Sequence, residues 1–65
     1  MRTYENSKKL ITRENRNYEN GNITAKEYDL WKDGMLEKLD VFLLCKRITA
    51  EQYKVLTEML ISITV

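Results

Sequence analysis

Apolar residues fall along this chain at helical intervals, in three blocks separated by polar breaks. In the middle block Tyr28, Trp31, Met35, Leu39 and Phe42 follow the i, i+3, i+4, i+7 spacing of one helix face, with Leu36 and Leu43 beside them. The last block repeats the pattern with Tyr53, Leu56, Leu60 and Ile63, flanked by Val55 and Met59. The first block is thinner. Tyr4, Ile11 and Tyr18 recur every seven residues, with Leu10 next to Ile11. A stripe that narrow reads as a seam laid on other helices rather than as a core element.

The breaks set the helix ends. Ile23-Thr24-Ala25-Lys26-Glu27-Tyr28 recurs as Ile48-Thr49-Ala50-Glu51-Gln52-Tyr53, 25 residues further on. Each copy is a capping box: the threonine hydroxyl accepts from the backbone N–H three residues later, and Glu27 or Gln52 reaches back to the threonine's own N–H. The isoleucine before each threonine and the tyrosine four residues after it form a hydrophobic staple. Helices therefore start at 25 and 50. Gly21 suits the left-handed residue that ends a preceding helix. Lys46 and Arg47 complement the negative C-terminal end of the next one, and Thr3 is a first N-cap.

The fold predicted is all-α, one helical domain over 1–65 with helices at about 3–19, 25–45 and 50–63. Its two joints, 18–28 and 43–53, are short enough to make consecutive helices antiparallel neighbours. There is no proline, and one of the two glycines, Gly34, lies inside the second helix. It fits either a close approach of another backbone or a break in that helix near Asp33-Gly34.

Composition narrows what such a chain can do. At 65 residues it buries only about 60% of the surface its unfolded form exposes. Domains of this size usually lean on a disulfide, a metal or a partner chain. A single cysteine, Cys45, rules out an internal disulfide and suits a reducing compartment; it is expected to be a small buried hydrophobe. No histidine is present to bind metal, to shuttle protons or to activate that thiol. Pairs of carboxylates, Asp29 with Asp33 and Glu37 with Asp40, share helix faces, but acid–base chemistry needs an enclosed pocket that a packed three-helix core leaves no room for. No enzyme activity, cofactor or metal is expected. The polar N-terminus does not read as a signal peptide, and no apolar run approaches the roughly 20 residues of a membrane span. A cytoplasmic protein without a membrane partner is expected.

The joints resemble those of the short C-terminal helical-hairpin family known as SHOCT. Gly21-Asn22-Ile23-Thr24 followed by Glu27-Tyr28 matches its pattern. The second copy, Lys46-Arg47-Ile48-Thr49 followed by Gln52-Tyr53, departs at the glycine and the glutamate. Small proteins of phages and related mobile elements carry similar joints. The resemblance covers roughly 18–36 and 43–60, and it implies oligomerisation or tethering to partners rather than catalysis.

Recognition is thus the expected role: a small adaptor, regulator, inhibitor or assembly factor that forms a homo-oligomer or docks on a larger protein. Tyr28, Trp31, Met35, Phe42, Tyr53 and Leu60 are the expected contacts, because aromatic and large apolar side chains dominate interfaces. The apolar, β-branched tail from Ile61 to Val65 joins them, since one helix face cannot hide it all. The alternative partner is nucleic acid, met by Lys8, Lys9, Arg13 and Arg16 on the first helix with Lys46 and Arg47 at the second joint. Against it, 11 lysines and arginines are balanced by 10 acids, for a net charge of +1. Glu51, at the start of the third helix, would also meet phosphates with the wrong sign.

Overall fold

A computed structural model describes residues 3–61 and shows three helices: α1 (Thr3–Glu19), α2 (Ala25–Leu44) and α3 (Ala50–Met59). No strand occurs among the described residues. Each helix packs on the other two. Both capping boxes are formed. Thr24 Oγ1 accepts from the Glu27 N–H at 3.1 Å while Glu27 Oε1 accepts from the Thr24 N–H at 3.0 Å. Thr49 and Gln52 reproduce both bonds at the same distances.

The 25-residue repeat extends through the turns that precede the caps. Gly21 has φ 77° and Lys46, 25 positions later, has φ 59°. Around Gly21 its own N–H donates to Tyr18 O at 3.1 Å, and the Asn22 N–H donates to Asn17 O at 2.8 Å. Around Lys46 the equivalent bonds run to Leu43 O at 3.1 Å and from Arg47 to Phe42 O at 2.8 Å. Each is a Schellman turn, which closes the carbonyls left open at a helix end. The sequence marks the first turn by glycine. The second places a lysine in the left-handed region, where a Cβ is unfavourable. Cys45 caps α2, which thus ends at Leu44, and it is exposed rather than buried.

Gly34 does not break α2, which runs continuously past it. A Cβ built at Gly34 would meet nothing within 4 Å, so no neighbour inside the chain requires the glycine.

The core consists of Ile11, Met35, Leu39, Ile48, Leu56 and Leu60, with Tyr4, Trp31, Leu36, Phe42, Leu43, Tyr53 and Met59 packed against it. Helix α1 contributes one full core residue, Ile11, and a buried serine, Ser7, in keeping with its thin stripe. Helix α3 is shorter than the predicted 50–63. It stops at Met59, and Leu60 is extended (φ −70°, ψ 134°) with its side chain in the core. Two causes act together. The β-branched Ile61 disfavours a further helical turn, and the extended backbone finds side-chain partners that such a turn would forfeit. Asn15 Nδ2 donates to Met59 O at 2.8 Å, the Ile61 N–H donates to Tyr28 Oη at 3.0 Å, and Lys32 Nζ donates to Ile61 O at 3.1 Å. Residues 62–63 of the predicted helix, and Val65 of the predicted interface, lie outside the described residues.

Candidate interaction surface

Most side chains expected to meet a partner are occupied within the chain. Tyr28, Met35 and Leu60 are buried, Trp31, Phe42 and Tyr53 are partly buried against the core, and Ile61 is partly buried. Tyr28 shows why. Its ring lies between Tyr18 and Trp31, with centroids 5.1 and 5.4 Å away. Its hydroxyl donates to Asn15 Oδ1 and accepts from Ile61, so one fully buried tyrosine ties α1, α2 and the end of α3 together. Burial pushes the phenol above its ordinary range; the Ile61 N–H opposes that shift, and Glu14 and Glu19 add to it. Tyr53 repeats the geometry one repeat later but at the surface, donating to Asp40 Oδ1 at 2.5 Å. That bond, above all, raises its phenol as well. Both acceptors stand 13 residues before their tyrosines, so Asn15 and Asp40 are themselves 25 apart.

The most exposed apolar side chains lie on the opposite side of α2, while Leu10 on α1 and Val55 on α3 are exposed to a lesser degree. Leu30, Val41 and Leu44 are 64%, 52% and 82% exposed, the three highest values among the large hydrophobic side chains described. With Gly34 and Glu37 between them they follow a 4, 3, 4, 3 spacing, which keeps residues on one helix face. At about 100° per residue, Val41 sits some 200° around the helix from the core residue Leu39. Helix α2 therefore carries three exposed apolar residues, with Glu37 among them, on the side opposite its buried face.

The bare backbone at Gly34 shapes the outward face. A shallow depression there is lined by Gly34, Glu37, Lys38, Val41 and Phe42. Gly34, Glu37, Lys38 and Val41 stand at i, i+3, i+4 and i+7, the four positions that form the hole for a knob in coiled-coil packing. Asp33 and Asp40 run along one edge of the face, with Lys26 on the same edge in the first turn of α2, and Lys38 lies on the other edge.

The basic residues do not converge on one patch. Lys9, Arg13 and Arg16 share the outward side of α1, around a depression completed by Thr12 and Asn17. Lys8 lies over the Tyr4 ring, 5.5 Å from its centroid. Arg47 lines a separate groove between α1 and α2, floored by Leu10, Met35 and Phe42, and Lys46 is held in the second Schellman turn.

Among the described residues no group of three or more His, Cys, Asp or Glu is placed to hold a metal ion. No described helix is long and apolar enough to cross a membrane. Compared with known protein families, curated proteins and solved structures, the chain matches none.

Proposed function

We propose that this chain is a small non-catalytic interaction module that binds another protein through the outward face of α2. The observation that carries this reading is the exposure of Leu30, Val41 and Leu44 on one side of α2, opposite the side that builds the core. Exposed apolar residues scattered singly need no explanation, whereas three on one helix face, with the bare backbone of Gly34 between them, support an interface there. The network at Tyr28 ties α1 and the end of α3 to the opposite side of α2, which leaves that face free of contacts within the chain.

The test is site-specific photocrosslinking in cells that make the protein, with a benzoylphenylalanine at position 37 and, as a comparison, at position 9. Protein adducts are expected from position 37, and the double variant Leu30→Lys/Leu44→Lys, which leaves the core untouched, removes them. Adducts only from position 9, or none from either, would overturn the reading.

Nucleic acid is the second candidate partner, supported by the Lys9–Arg13–Arg16 row, although Glu14 Oε1 lies 3.9 Å from Arg13 Nε. It ranks lower because the four tyrosines are buried or partly buried, leaving no exposed aromatic platform for bases. Binding through phosphates would fall steeply between low and moderate salt.

A further inference from the structure

The charge around the outward face of α2 identifies the kind of partner that fits it. Between Leu30 and Leu44 the face carries Asp33, Glu37 and Asp40 against a single lysine, Lys38. All four are exposed. Glu37 stands in the apolar seam itself, while Asp33 and Asp40 sit immediately before Gly34 and Val41 and so share one edge. A second copy of this chain is a poor occupant. In an antiparallel pair that overlaps the two faces from Leu30 to Val41 like edges meet, which sets Asp33 of each copy against Asp40 of the other. In a parallel pair each seam position meets itself, which sets Glu37 against Glu37. Like charges facing one another at an interface select against a partner.

We infer that the face receives an amphipathic helix of another protein, with basic residues along the edge that meets Asp33, Glu37 and Asp40. A large apolar side chain of that helix enters the hole over Gly34. Leu30 and Leu44, on either side of the hole, pack against the apolar residues one turn or more away. From Leu30 to Leu44 the face is about 21 Å long, enough for roughly two heptads of a partner helix. This partner class presupposes that the α2 face is an interface at all, and Gly34 separates the two questions. Its own chain places nothing where a side chain would go, and almost any residue is a better helix former than glycine. Gly34→Gln therefore fills the hole while strengthening the fold.

The experiment uses the full chain with two synthetic probes, each an amphipathic helix of about three heptads with leucine at a and d. One carries lysine along its edges and the other glutamate. Fluorescence anisotropy at about 0.15 M salt should show the lysine-edged probe binding at least about tenfold more tightly. Gly34→Gln should weaken that binding about tenfold or more while raising the melting temperature. Asp33→Lys/Glu37→Lys, which spares the Asp40 bond to Tyr53, should reverse the preference between probes. Equal binding of both probes, or tight binding that Gly34→Gln leaves unchanged, would overturn the basic-helix partner. Light scattering on the same samples distinguishes the remaining failures. Concentration-dependent dimers abolished by Gly34→Gln, with neither probe bound, would replace the basic helix by a second copy and leave the face an interface. A monomer that binds neither probe would remove both the partner class and the support for this face.

Discussion

Removing one oxygen atom from Tyr28 tests whether the fold is held as described. In Tyr28→Phe the ring still fills its place between Tyr18 and Trp31, so no cavity opens. What is lost is the hydroxyl, and with it the partner of Asn15 Oδ1 and of the Ile61 N–H. Tyr28 is fully buried and the two partners are partly buried, so neither partner regains full hydration. Leaving a buried polar group unsatisfied costs about 1–3 kcal/mol, and a value near 2 kcal/mol is expected here. For a domain this small, 1 kcal/mol corresponds to about 4–8 °C in melting temperature. A drop of about 8–16 °C follows, a large share of the roughly 3–5 kcal/mol such a core supplies. The assay is thermal and urea unfolding followed by far-UV circular dichroism. Tyr53→Phe is the matched control, since its hydroxyl makes the equivalent bond to Asp40 in contact with water. It should cost less than about 1 kcal/mol. Equal losses for the two variants, or a change below about 0.5 kcal/mol for Tyr28→Phe, would refute the claim that the buried hydroxyl holds the helices in place.

Three further outcomes are expected. Lys46→Gly relieves a left-handed lysine without removing any backbone bond of its turn, and should raise the urea midpoint by the equivalent of about 1 kcal/mol, whereas Gly21→Ala should lower it by a similar amount. Gly34→Ala should stabilise by up to about 1 kcal/mol, because the helix is continuous there and the added methyl group meets nothing. Alkaline unfolding should involve Tyr28. Its phenol is raised in the folded state, so its contribution is complete below the unfolded value near 10.0 and is lost as pH rises from there through the folded value. Circular dichroism between pH 8 and pH 12 should show a loss of stability beginning near 10, smaller in Tyr28→Phe.

The fold was legible where the signal is local. A capping box needs only its own residues, and both helix starts stand where Thr24 and Thr49 put them. Gly21 marked the end of α1 for the same reason. Lys46 marked the end of α2 by its charge but not its left-handed conformation, because a lysine rarely adopts positive φ and only the repeat offset from Gly21 points to it. The end of α3 depended on tertiary partners: Asn15, Tyr28 and Lys32 capture the backbone from Met59 to Ile61, and none of them is near it in sequence. Asn15 itself read as one more polar residue of α1. Its counterpart Asp40, also 13 residues before a tyrosine, was the available clue. The candidate interface moved for a related reason. Periodicity finds the strongest apolar stripe, and in a chain this short the core needs that stripe first. Leu30, Val41 and Leu44 share the opposite face, but with Gly34 and Glu37 between them they give a weaker pattern, and they stand out only once Tyr28, Met35 and Leu39 are seen to fill the interior.

Amide chemical-shift mapping distinguishes binding at the outward face of α2 from binding elsewhere on the chain. The full chain, labelled with ¹⁵N, would be titrated with the lysine-edged helical probe. The largest changes are expected at Leu30, Gly34, Glu37, Lys38, Val41 and Leu44, with those of α3 small. Changes centred on Lys9, Arg13 and Arg16, or spread through the core around Tyr28 and Leu56, would contradict binding at that face.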